Sequence, residues 1–161
     1  MRTDWNTPQE VVDLVTGYAP IVLDPCSNAT SIVPAKTRYM LPEQDGLALP
    51  WDSEPGVVFV NPPYSREIGP WIDKAIASYS DGTQIILLVP ARTCTRWWRS
   101  LMQGNYARVW FRTGRLTFLG GKHCAPFPSA LISLGGDPDP LYQPFDEHMY
   151  GEGVGVGWYK L

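Results

Sequence analysis

Three short apolar runs, each closed at its carboxyl end by a proline-bearing segment, constrain this chain more than any other feature. They are Ile21-Val22-Leu23 before Asp24-Pro25, Val57-Val58-Phe59-Val60 before Asn61-Pro62-Pro63, and the stretch from Gln84 to Val89 before Pro90. Runs this short with no polar alternation are apolar on both sides of an extended chain, which is how a strand inside a covered parallel sheet reads. Helical signals lie around them. Thr7-Pro8 offers a capping hydroxyl and a proline at the first helical position ahead of Gln9 to Val15, and Gly17 ends the pattern. Trp71, Ile72, Ala75, Ile76 and Tyr79 share one face of a helix expected over Pro70 to Ser80, and a further helix is expected over Thr95 to Gln103. Later strands are expected at Arg108 to Phe111, Leu116 to Leu119 and Ala130 to Leu134, whereas the glycine-rich stretch 151–157 fits no element. The alternation implies a three-layer α/β sandwich with a mostly parallel sheet and room for antiparallel strands at the C-terminal end.

With 161 residues the chain is expected to form one domain over 1–161, and 44% hydrophobic with 18% charged residues is globular rather than disordered or coiled-coil composition. No apolar stretch nears the roughly 18 residues of a membrane span, and the start MRTDWNTPQE lacks the layout of a signal peptide; no membrane partner and a cytoplasmic location are expected. Three cysteines without a CxxC pair, beside two histidines, indicate neither a disulfide framework nor a zinc site, so reduced thiols and no metal are expected. A net charge of -3 argues against a simple nucleic-acid binder, but the charge is uneven. Between Arg66 and Lys122 nine basic residues, seven of them arginine, meet three acids for a net +6, while 1–65 and 123–161 carry -5 and -4. Arginine suits phosphate and base contacts, although a charge run is also what a solvated face looks like.

Ligands of an open α/β sheet bind outside the carboxyl ends of its strands. Two segments stand there: Asp24-Pro25-Cys26-Ser27-Asn28 and Asn61-Pro62-Pro63-Tyr64. Consecutive prolines have no N–H to donate and hold the chain extended, which leaves nearby carbonyls as rigid acceptors. Asn61 adds a side-chain acceptor and Tyr64 an aromatic face, a combination that fits a planar ring bearing an exocyclic amine. The structural alternatives are plain. Pro62-Pro63 also reads as a strand-ending turn, Asp24 as a loop cap, and Cys26 as a buried thiol. His123 and His148 lack any partner pattern for nucleophilic chemistry, and Trp97 and Trp98 read as core and interface with one facing outward.

Asn61-Pro62-Pro63-Tyr64 resembles the N/D/S-P-P-Y/F motif of amino-group DNA methyltransferases. Its context extends the likeness. Trp5-Asn6-Thr7-Pro8, Ile21 to Asn28, Asp45-Gly46-Leu47 with Trp51, the motif itself, Val89-Pro90-Ala91-Arg92-Thr93 and Gly114-Arg115-Leu116-Thr117-Phe118 follow one another as in the phage-type DNA N6-adenine methyltransferases, over about residues 4–134. The resemblance implies a Rossmann-like, S-adenosylmethionine-dependent fold of reduced size that methylates N6 of adenine in DNA and releases S-adenosylhomocysteine. It further implies that Thr7, Pro8, Asp24, Pro25 and Cys26 hold the methionine part of the cofactor, and that Asp45, with Gly46 and Leu47, meets its adenine. Asn61, Pro62, Pro63 and Tyr64 become the catalytic set. Arg66, Arg92, Arg96, Arg99 and Arg115 become the DNA face. The chain departs from methyltransferases at large in lacking a GxG turn after the first strand and an acid for the ribose, where Asn28 is the candidate substitute; the short interval from Asn28 to Asp45 implies a reduced or missing helix. N4 of cytosine, RNA adenine or a glutamine amide as acceptor, and a binding module without turnover, remain open on the residues alone.

Overall fold

A computed structural model describes residues 5–51, 55–80, 83–104, 106–135 and 158–160. In chain order the elements are α1 (Gln9–Tyr18), β1 (Ile21–Asp24), β2 (Thr37–Arg38), β3 (Val57–Val60), α2 (Ile68–Ser80), β4 (Ile85–Pro90), α3 (Arg96–Met102), β5 (Ala107–Arg112), β6 (Ser129–Leu134) and β7 (Trp158–Lys160). The strands form one sheet of seven, ordered β2-β1-β3-β4-β6-β5-β7. The first four in that order are parallel; β6 runs against both β4 and β5, and β7 runs against β5. Five strands therefore share a direction, and the two reversed ones come last in the chain. Every residue of β1, β3, β4 and β6 is buried, so both faces of the sheet are covered there, which is why these runs show no polar alternation.

The helices sit close to their expected bounds. α1 buries Val11, Val12, Leu14 and Val15. α2 and α3 pack against each other, and the Thr95 hydroxyl caps α3 by accepting from the Trp98 amide at 3.4 Å. Trp98 is buried there and Trp97 half-buried. Between β1 and β3 the described residues hold no α-helix, in keeping with the short interval between Asn28 and Asp45.

Two expectations need correction, and one strand was not foreseen. Pro8, not Thr7, occupies the cap of α1, and its carbonyl accepts from Val11 and Val12; the Thr7 hydroxyl is engaged elsewhere, by Asn61. Leu116 to Leu119 form no strand. That segment turns on itself through Gly121 N–H to Phe118 O and Ala125 N–H to Leu116 O, and it alternates in burial because Leu116 and Phe118 both plug the core. β2 was not expected at all: two polar residues pair with Leu23 and Asp24 with no apolar run to announce them. The 151–157 stretch and His148 lie outside the described residues.

Candidate active site

A cavity of about 490 Å³ opens beyond the carboxyl ends of β1 and β3, where Asp24, Cys26 and Asn28 meet Asn61, Pro62 and Pro63. A second lobe of about 390 Å³ shares Cys26, Asn28, Leu41 and Trp71 with it and extends to Tyr39 and Glu43.

Asn61 follows the last residue of β3. Its Nδ2 donates to the Trp5 carbonyl and, at 3.0 Å, to the Thr7 hydroxyl, so both amide hydrogens are used. Turning the amide over would set Oδ1 against the Trp5 carbonyl, and the bond therefore fixes which atom is the oxygen. Oδ1 is buried and has no donor among the described residues. Asn61 lines the cavity, so a ligand bound there can supply the hydrogen that Oδ1 lacks.

Tyr64 departs from its expected role. It is 7% exposed, does not line the cavity, and donates its hydroxyl to Leu88 O at 3.0 Å. Phe118 and Phe127 stand nearly perpendicular to its ring at 5.9 and 5.4 Å. The phenol is pushed well above its ordinary value by burial. Its aromatic face is thus taken up inside the protein by rings from the segment after β5, which lies far from it in sequence.

Asp24 ends β1 with 3% exposure and accepts from the Cys26 amide at 3.2 Å. Burial raises its carboxyl above the ordinary value, opposed in part by hydrogen bonding at Cys26 and by Arg38. It is both a loop cap and a buried carboxylate in the cavity wall. Pro25, largely buried, lines the second lobe, and Pro8 lines neither. Asn28 donates to Asn6 Oδ1 at 2.7 Å and accepts from the Thr30 amide and hydroxyl, so most of its carboxamide is spent on the loop.

Asp45 and Leu47 reach the first lobe. Asp45 Oδ1 also accepts from the Leu47 amide at 2.9 Å, holding the turn. Gly46 is what lets this turn approach the loop after β1: a Cβ there would lie 1.9 Å from Pro25 O and 2.8 Å from Pro25 C, both backbone atoms. Gly46 O accepts from the Trp51 indole at 2.7 Å.

Arg66, Arg92, Arg96, Arg99 and Arg115 are exposed. Arg92 lies 5.9 Å over the Phe127 ring, beside the aromatic group around Tyr64. Arg112 must be withdrawn from the basic set, because its nearly buried guanidinium pairs with Glu10 at 3.0 Å and lies over Trp158. Sequence reasoning placed Trp5 and Asn6 only within the Trp5-Asn6-Thr7-Pro8 motif and Trp71 only on a helix face, with no site role for any of them. Asn6 and Trp5 line the first lobe just before Thr7, and Trp71 lines it while stacking on Trp51 at 6.2 Å; for Trp5 and Asn6 the motif itself was the available signal.

A family model described as DNA N-6-adenine-methyltransferase (Dam) matches residues 1–128. A DNA N-6-adenine-methyltransferase of Escherichia phage T1 is 28% identical over 137 residues, which cover 76% of this chain and 56% of that protein. The chain thus spans just over half the length of this relative. No solved structure matches the chain.

Proposed function

The chain belongs to the DNA N-6-adenine-methyltransferase (Dam) family, and from that premise we propose that it transfers a methyl group from S-adenosylmethionine to N6 of adenine in DNA, on a Rossmann-like methyltransferase fold of reduced size. The observation that carries the reading is Asn61 Oδ1, a buried acceptor without a donor in a wall shared with Pro62 and Pro63. An exocyclic amine has the two hydrogens such a wall lacks. Asn61 Oδ1 takes one and the Pro62 carbonyl the other, which draws the nitrogen toward its pyramidal, nucleophilic form.

S-adenosylmethionine, when bound, supplies a methyl group activated by a positively charged sulfur. The cavity suits such a cation, since its buried titratable group is the Asp24 carboxylate. Asp24, with Cys26 beside it, holds the methionine end, Asn28 stands toward the ribose, and Asp45 and Leu47 hold the adenine. The target adenine leaves the duplex to reach Asn61 beside Pro62 and Pro63. Catalysis is then positioning and electrostatics, with no covalent intermediate on the protein. Arg66, Arg92, Arg96, Arg99 and Arg115 are the groups for the DNA backbone. Asn61→Ala is expected to lower methyl transfer about a hundredfold or more while the dissociation constant for S-adenosylmethionine stays within about twofold. Near-normal turnover at saturating DNA would remove Asn61 from the mechanism.

A further inference from the structure

Trp5-Asn6-Thr7 touches the loop after β1, the residue after β3 and the segment after β5. The Asn6 side chain exchanges hydrogen bonds with Asn28 and Thr30 after β1, and its carbonyl accepts from the Leu119 amide at 3.0 Å. The Trp5 ring lies 5.2 Å from Phe118 and 5.1 Å from Phe127. The Trp5 carbonyl and the Thr7 hydroxyl take the two Nδ2 hydrogens of Asn61. Thr7 is 4% exposed, so water has little access to replace that hydroxyl.

We propose that Thr7 is a positioning residue for methyl transfer: its hydroxyl, by accepting from Asn61 Nδ2, holds the carboxamide with Oδ1 toward the acceptor amine. The inference rests on the reading of Asn61 given above. A carboxamide has an acceptor end and a donor end on a soft terminal torsion. The Trp5 carbonyl, an acceptor only, sets the sense of the amide but is one anchor about which it can swing; Thr7 as second anchor sets its plane. An oxygen swung out of line no longer accepts from the amine, so the cost of losing Thr7 falls on the transfer step. This role differs from the cofactor-holding role that the resemblance implies for Thr7, whose loss would fall on cofactor affinity rather than on the transfer step.

The test compares Thr7→Val, which keeps the branched shape without the hydroxyl, with Thr7→Ser, which keeps the acceptor. Thr7→Val is expected to lower kcat for DNA methylation about tenfold or more, with Kd for S-adenosylmethionine and KM for DNA within about twofold, and Thr7→Ser to return kcat to within about threefold of wild type. Cofactor affinity falling in step with kcat, or a valine variant as fast as wild type, overturns the proposal. A second readout is independent of turnover: the Asn61 side-chain amide protons, followed by NMR, should exchange with solvent about tenfold faster in Thr7→Val than in wild type. If the wild-type chain methylates no DNA but these protons respond, the functional reading fails and the positioning bond stands. If they do not respond, the positioning inference fails on its own.

Discussion

An amide whose two hydrogens are both engaged can act only as an acceptor at its oxygen, and Asn61 is in that position. Asp24 is its electrostatic counterpart in the same cavity. Burial raises the Asp24 carboxyl above its ordinary value of 3.8. A carboxyl whose folded-state pKa exceeds its unfolded value favours folding in its protonated form: the stability it lends is full below about pH 4 and is lost as pH rises through the folded value. The ligand-free protein therefore bears the cost of a buried anion at neutral pH, and Asp24→Asn is expected to raise its melting temperature there. A cationic ligand offsets that cost only in the wild type. S-adenosylmethionine affinity should fall as pH drops through the raised Asp24 value, and this dependence should vanish in Asp24→Asn; calorimetry over a pH series checks both. A melting temperature lowered by the substitution at neutral pH would contradict the account of Asp24.

At the scale of elements, the site depends on how closely loops approach. Gly46→Ala would drive a Cβ into the Pro25 backbone, and neither partner is the far end of a flexible side chain. The turn must move off the loop after β1 and take Asp45 and Leu47 with it. Cofactor affinity is expected to fall about tenfold or more, with a lower melting temperature, both read by calorimetry. The helix α3 and the strand β5 divide the arginines. Arg96 and Arg99 are three apart and exposed on α3, whereas Arg112 on β5 is held by Glu10. Replacing Arg96 and Arg99 by Ala should shrink the slope of log affinity against log salt by about one unit for each phosphate no longer neutralised, on all DNA sequences alike, while Arg112→Ala should leave the slope unchanged and lower stability. β1, β3 and β4 were legible in the sequence because burial on both faces leaves an unbroken apolar run. β2 was not, because its place is set by pairing with β1 rather than by side chains of its own. Leu116 to Leu119 misled for the opposite reason: alternate burial of Leu116 and Phe118 imitates a strand while the backbone hydrogen-bonds into turns.

Across the whole molecule, the site is four short segments brought together: 5–7, 24–28, 45–47 and 61–63. Each was recognisable by itself, and strand ends predicted that 24–28 and 61–63 would meet. What no local pattern could show is the closure between them, since Asn61 reaches across 54 residues to Thr7, and Phe118 and Phe127 come back to cover Tyr64. The same long-range packing removed Arg112 from the exposed basic residues of the middle segment. The central claim is that this assembled wall of acceptors receives the amine of adenine. Incubation with labelled S-adenosylmethionine and unmethylated DNA, followed by digestion to nucleosides, tests it most directly. The account predicts label in N6-methyladenine from the wild type and its loss in Asn61→Ala; label in N4-methylcytosine, or cofactor binding with no transfer to DNA, would contradict it.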